Sequence, residues 1–157
     1  MGDPMIATRA LDLPARTGSG YPAPHDAPCQ SRSRRRLADA FGLTQFGANL
    51  LELPPGAWSS QRHWHERQDE LIYVLEGEVA LVTDDGETLL TAGMTAGFRA
   101  GSGNGHHLVN RSASTVRVLE VGTRTVEEVA HYPDIAMMYR QDADGGGYCT
   151  ADGRPLT

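Results

Sequence analysis

The sequence predicts an all-β fold, an antiparallel barrel or sandwich, on three observations. Its apolar segments are about five residues long. Each is bounded by Gly, Pro, Asn or Asp. No amphipathic stretch between them is long enough for the crossover helix that parallel strands require. With 18 Gly and 9 Pro in 157 residues, turns recur often enough to close strands of that length.

The elements follow in order. Residues 1–36 read as an N-terminal arm, rich in Pro, Gly, Ser and Arg, that runs over the surface or over a neighbouring subunit. Met5 is read as the native start, with Met1-Gly2-Asp3-Pro4 a vector-derived remnant of no functional weight. Residues 37–123 read as the barrel domain. Leu37 to Phe41 suits either a helical turn or the lead into a strand. Gln45 to Leu53 is a strand stopped by Pro54-Pro55-Gly56. Leu71 to Leu75 is a continuous apolar run, turned by Glu76-Gly77-Glu78. Val79 to Thr83 and Glu87 to Thr91 form a hairpin about Asp84-Asp85-Gly86. Gly93 starts a turn, Gly101 to Gly105 is a loop, and His106 to Asn110 and Thr115 to Gly122 are strands. Residues 124–157 read as a tail packed on the barrel. Tyr132 to Tyr139 is a short strand or helix there, and Gly145-Gly146-Gly147 is a loop.

Charge and cysteine content exclude several classes. The net charge is −6, so the basic face of a nucleic-acid binder is missing. The local run Arg32-Ser33-Arg34-Arg35-Arg36 reads as a solvated face, with phosphate binding or ion pairing to a partner subunit as alternatives. Cys29 and Cys149 are isolated and form no disulfide framework. They read as buried or idle thiols. No run of about 18 apolar residues suggests a membrane span. The first residues lack the pattern of a signal peptide. The expected setting is cytoplasmic and reducing.

Chemistry concentrates in the histidines. His63 and His65 form His-x-His, and side chains at i and i+2 of a strand share a face. Alone, that pair suits two surface residues as readily as two metal ligands. Glu70 begins the next strand after a short polar loop and can return beside them. A second cluster is His106-His107.

In context, these residues resemble the cupin superfamily. Its first motif runs Gly, about five residues, His-x-His, three or four residues, Glu, six residues, Gly. The sequence reads Gly56, six residues, His63-Trp64-His65, four residues, Glu70, six residues, Gly77. Its second motif runs Gly, five residues, Pro-x-Gly, a short gap, His, three residues, Asn. The sequence reads Gly93, five residues, Arg99-Ala100-Gly101, four residues, His106, three residues, Asn110. Arg99 stands where the family has Pro, and the loop before His106 is two residues longer than the pattern. The stretches Leu43-Thr44-Gln45-Phe46-Gly47, Tyr73 to Glu78, Asn104 to Ser112, Glu120 to Arg124 and Tyr132-Pro133-Asp134 also look like stand-alone bacterial cupins of the cupin 2 type, some described as sugar-phosphate isomerase-like.

The resemblance implies a double-stranded β-helix, or jelly-roll barrel, in which His63, His65, Glu70 and His106 bind one metal. Three imidazoles and one carboxylate suit Fe, Mn, Ni, Cu or Zn. His106 keeps the motif's spacing to Asn110, so His107 faces away. Trp64, between the two histidines, also points away and serves packing or an interface. Tyr73 and Leu75 alternate with Glu70's face and form an apolar outer surface for a second sheet or subunit, so a homodimer is expected. Arg99 is a candidate carboxylate or phosphate anchor. The expected function is to act on or bind a small oxygenated molecule, sugar-like or carboxylate, at the metal. A dioxygenase, a sugar (phosphate) isomerase, and a non-catalytic binding or sensing module are the readings carried forward. No proton-transfer group for an isomerase is visible in the sequence.

Overall fold

The structure is a computed structural model that describes residues 5–157, so the reading of Met1–Pro4 lies outside the described residues. The strands, in chain order, are β1 (Ala15–Thr17), β2 (Ser33–Arg36), β3 (Phe46–Leu53), β4 (Trp64–His65), β5 (Glu70–Glu76), β6 (Glu78–Thr83), β7 (Gly86–Thr91), β8 (Thr95–Phe98), β9 (His107–Val109), β10 (Val116–Thr123), β11 (Glu128–Tyr132), β12 (Met137–Asp142) and β13 (Gly145–Thr150). One helical turn, α1 (Leu37–Ala40), precedes β3, so the ambiguous Leu37–Phe41 stretch is helical.

The fold is all-β and jelly-roll in form. A six-stranded sheet, β1-β2-β3-β10-β5-β8, faces a three-stranded sheet, β7-β6-β9. A core of Leu51, Leu53, Ile72, Val74, Val79, Leu90, Leu108, Val116 and Val118 lies between them. Period-two alternation produces this arrangement. Val116 and Val118 are fully buried, whereas Arg117 between them turns outward to Glu52 and Glu76. On β5, Ile72 and Val74 point in, and Leu71, Tyr73 and Leu75 stay exposed on the outer face.

Turn chemistry holds the register. Gly77, between β5 and β6, has φ 84°, and a Cβ there would meet Val116 Cγ2 at 3.0 Å. Only glycine meets both conditions. Asp84-Asp85 forms the two-residue loop joining Thr83 to Gly86.

Arm and tail are more ordered than the sequence reading expected. β1 and β2 extend the six-stranded sheet through β2–β3 pairing, so the arm is wall as well as surface. The tail forms its own sheet, β13-β12-β11-β4. Gly145–Gly147 opens β13 and is no loop. The Tyr139 hydroxyl from β12 occupies the space a side chain at Gly146 would take, so an aromatic covers a glycine across the strand pair. β11 pairs with β4 through Ala130–His65 and His131–Trp64, so the tail sheet holds the histidine strand. Cys29 and Cys149 are buried free thiols. Among the described residues no helix is long and apolar enough to cross a membrane.

Candidate metal centre and cavity

Backbone pairing brings the histidine clusters together. His63 and His106 exchange both amide bonds, His63 N–H to His106 O at 3.1 Å and His106 N–H to His63 O at 2.8 Å. Directly opposed residues of an antiparallel pair point to the same face. Glu70 opens β5 on the same interior. Its Oε2 lies 2.8 Å from His106 Nε2 and 3.6 Å from His63 Nε2. Its Oε1 lies 3.3 Å from His65 Nε2. One ligand atom from each of His63, Glu70 and His106 lies within 4.8 Å of the others. His65 stands edge-on to His63, with ring centroids 4.9 Å apart. His107 takes the other face, its Nδ1 2.9 Å from Ser60 O and its ring edge-on to Trp58. Trp64 stacks on His131 at 4.3 Å, away from the cluster.

The donor set fits a cation. Glu70 Oε2 is buried and makes no hydrogen bond, although imidazole nitrogens surround it. A metal ion at that point would satisfy it. Burial opposes the Glu70 charge, but His106, His63 and His65 outweigh burial and hold its carboxyl well below the usual range. Burial depresses His106, reinforced by His63 and His65 and opposed by Glu70, which favours the neutral imidazole that a metal requires. Burial also works against a charge on His65, yet Glu70 and then Glu128 raise it. His63 Nδ1 lies 2.9 Å from Gln61 O, which places its proton there and leaves Nε2 as the ligand atom.

Neighbouring groups set the ligands' positions. Glu128, 4% exposed, accepts from the backbone N–H of Glu66 at 2.9 Å, of Arg67 at 3.3 Å and of Val129 at 2.8 Å. It thereby fixes the turn that follows His65. Phe98 lies flat on His106, with centroids 3.5 Å apart. The long loop before His106 is tied down. Arg62 pairs with Asp84 and Asp134, and Asn104 Oδ1 accepts the Asp84 N–H at 2.9 Å.

The cluster opens into a cavity of about 480 Å³, within the range that holds a small ligand. Its wall includes His63, Glu70 and His106 and four arginines, Arg32, Arg34, Arg36 and Arg124. The reading of the arginine run as a solvated face is therefore corrected. β2 pairs with β3, and alternation puts Arg34, like Arg32 just before it, inside and Arg36 at the cavity's rim, while Arg35 turns out to Glu52. Arg34 forks onto Glu120 at 2.6 and 3.0 Å and donates to Ser59 O at 2.9 Å. Glu120 sits opposite Ile72 on the inward face, one row deeper than Glu70. Tyr21 from the arm and Tyr148 from β13 also line the cavity. Sequence reasoning missed Glu120, Glu128, Tyr21 and Tyr148. For Glu120 the signal was its parity with the buried Val116 and Val118 on β10.

Arg99, the candidate anchor from the sequence, lies beside this cavity and is not among the residues that line it. It is exposed and lines a neighbouring depression of about 450 Å³ that shares Glu70, Phe98 and Gly122 with the larger cavity.

Comparison with known proteins agrees with this architecture. The family model described as "Cupin domain" matches residues 49–122. A crystal structure described as a sugar phosphate isomerase from a cupin superfamily, from Silicibacter pomeroyi, is 48% identical. The alignment covers 96% of this chain and 97% of that one, with a TM-score of 0.91. A structure from Acidithiobacillus ferrooxidans is 24% identical over 81% of both chains, with a TM-score of 0.74. The polyketide cyclase RemF from Streptomyces resistomycificus is 24% identical, covering 76% of this chain and 79% of its own, with a TM-score of 0.62. These last two share the fold. No curated protein matches the sequence.

Proposed function

The chain belongs to the cupin superfamily, and from that premise we propose that it is a metal-dependent isomerase of a small polyhydroxylated substrate. His63, His65, Glu70 and His106 would hold a divalent transition ion, which supplies Lewis acidity toward a substrate oxygen. One observation carries the reading. The same cavity holds a ring of imidazoles about Glu70 and, one row deeper, a second carboxylate, Glu120, that is no part of the ring.

Isomerisation of a hydroxy carbonyl compound moves the carbinol C–H proton to the adjacent carbonyl carbon, while the hydroxyl proton passes to the former carbonyl oxygen. Nothing leaves the substrate, and no oxidant is needed. Glu120 takes the C–H proton and returns it to the neighbouring carbon. Arg34, bonded to both of its oxygens, keeps the carboxylate in one orientation. Ile72, Phe98 and Leu108 in the wall limit water at the reacting carbons. The relative that is 48% identical and described as a sugar phosphate isomerase supports this chemistry.

Metal-loaded protein incubated with aldose–ketose pairs in D₂O provides the test. Deuterium should enter the carbon beside the carbonyl, and Glu120→Gln should abolish this while keeping the metal. Oxygen consumption without deuterium entry would contradict the proposal and favour an oxygenase.

A further inference from the structure

The cavity concentrates positive charge on an acidic chain. Four guanidiniums face two carboxylates in its wall, although the net charge of the protein is −6. The four arginines differ in how far their donors are used. Arg34 is committed to Glu120 and Ser59. Arg32 is buried and donates to Gly18 O and Ser59 O. Arg36 and Arg124 stand at the rim, 61% and 41% exposed. Both are positioned by one carboxylate, Asp39 of α1, which accepts from Arg36 at 3.4 Å and from Arg124. Arg124 is further fixed by donating to Leu43 O at 3.1 Å. Two guanidiniums held by one carboxylate leave unused donors and one net positive charge at the rim.

Strand register gives the distance from the histidines. Glu70 pairs with Gly122 across β5 and β10, and Gly122 pairs with Gly47 across β10 and β3. The Arg124 guanidinium lies over Gly47, 3.5–3.9 Å from where a Cβ would stand. Two inter-strand steps therefore separate Glu70 from the Arg124 end, about 10 Å. The two glycines keep the space between open. Arg36 pairs with Asn49, two residues along β3 from Gly47 and also in the wall.

We propose that Arg36 and Arg124 form an oxyanion subsite holding the phosphate of a small phosphorylated polyhydroxy compound whose other end reaches Glu70 and its histidines. This rests on the isomerase reading and names the substrate class it requires. Phosphate matches two guanidiniums better than carboxylate does. A phosphate monoester brings three terminal oxygens and close to two negative charges to the two forks, where a carboxylate brings two oxygens and one charge.

Calorimetric titration of inorganic phosphate, beside acetate, tests the subsite in metal-loaded protein. Phosphate should bind at least about tenfold more tightly than acetate. The pair Arg36→Gln/Arg124→Gln should weaken phosphate about tenfold or more, with metal content unchanged. Arg36→Gln alone, at an exposed position, should give a smaller loss without loss of fold. His63→Ala/His106→Ala, stripped of metal, should keep phosphate affinity within about threefold. Equal phosphate affinity in wild type and the arginine double variant would overturn the subsite. So would loss of phosphate binding together with the metal, which would put the anion on the ion. Absence of deuterium exchange with intact phosphate binding would reject the isomerase reading and leave the subsite standing.

Discussion

Arg34 and Glu120 form a two-point ion pair, at 2.6 and 3.0 Å, that joins the arm strand β2 to the central strand β10 inside the cavity. Burial works against the Arg34 charge, and Glu120 more than restores it. The side chains are 25% and 21% exposed, so removing one partner strands a poorly solvated charge. Arg34→Met should cost about 2 kcal/mol, below the ~3–5 kcal/mol of a fully buried pair. Arg34→Met/Glu120→Leu should recover most of it. Urea denaturation of the wild type and the two variants measures both, and equal losses in the single and double variants would contradict the pairing.

Asn110 should be a stability residue. It is fully buried, donates to Leu53 O at 2.7 Å and Ser114 O at 2.8 Å, and accepts from the Ser112 N–H at 2.9 Å and its hydroxyl at 2.7 Å. Asn110→Ala removes all four bonds, one of them to the carbonyl of buried Leu53, and should cost about 3 kcal/mol. Thermal and urea unfolding should register this, and metal binding by the folded fraction should be unaffected.

Glu128 ties the turn after His65 through three backbone amides. Glu128→Gln should weaken metal binding about 10–100-fold by loosening His65, as other outer groups do. Competition with a chelator measures this. Unchanged affinity would show that the turn holds without it.

Gly122 serves space rather than backbone conformation. A Cβ there would meet Asp69 O at 3.5 Å and Glu70 Cγ at 3.6 Å, ordinary contacts, and its φ is not left-handed. Gly122→Val should fold with stability changed by less than about 1 kcal/mol, since valine suits a strand. It should keep the metal and lose substrate binding, because its methyl groups enter the cavity beside Glu70. Retained turnover would contradict this account of the open space.

Much of this arrangement was legible in the residues, for identifiable reasons. Most barrel strands carry alternating or continuous apolar runs closed by Gly77, Asp84-Asp85 and Gly93, so their limits could be read within a residue or two, whereas β8, with Gly97 and Ala96 at its centre, was not read as a strand. The placement of His63, His65 and Glu70 follows from parity and from the turn between them. The arginine ladder was hidden. In Arg32-Ser33-Arg34-Arg35-Arg36 no apolar residue marks a face, so an inward i, i+2, i+4 row looks like a solvated run. The period-two spacing was the only clue, and β3 had to be in place to give it meaning. The tail strand β13 was hidden for a similar reason. Gly145–Gly147 has no strand propensity of its own and is held by Tyr139 lying across it. Glu128 lies far along the sequence from His65, and only the β4–β11 pairing brings them together.

The most direct measurement is the metal content of the purified protein and of its histidine variants. Wild type should hold about one transition ion per chain. His63→Ala and His106→Ala should hold little, and His107→Ala, whose ring faces away, should match wild type. Equal metal content across all four proteins would contradict the centre formed by His63, Glu70 and His106, and with it the chemistry proposed for the cavity.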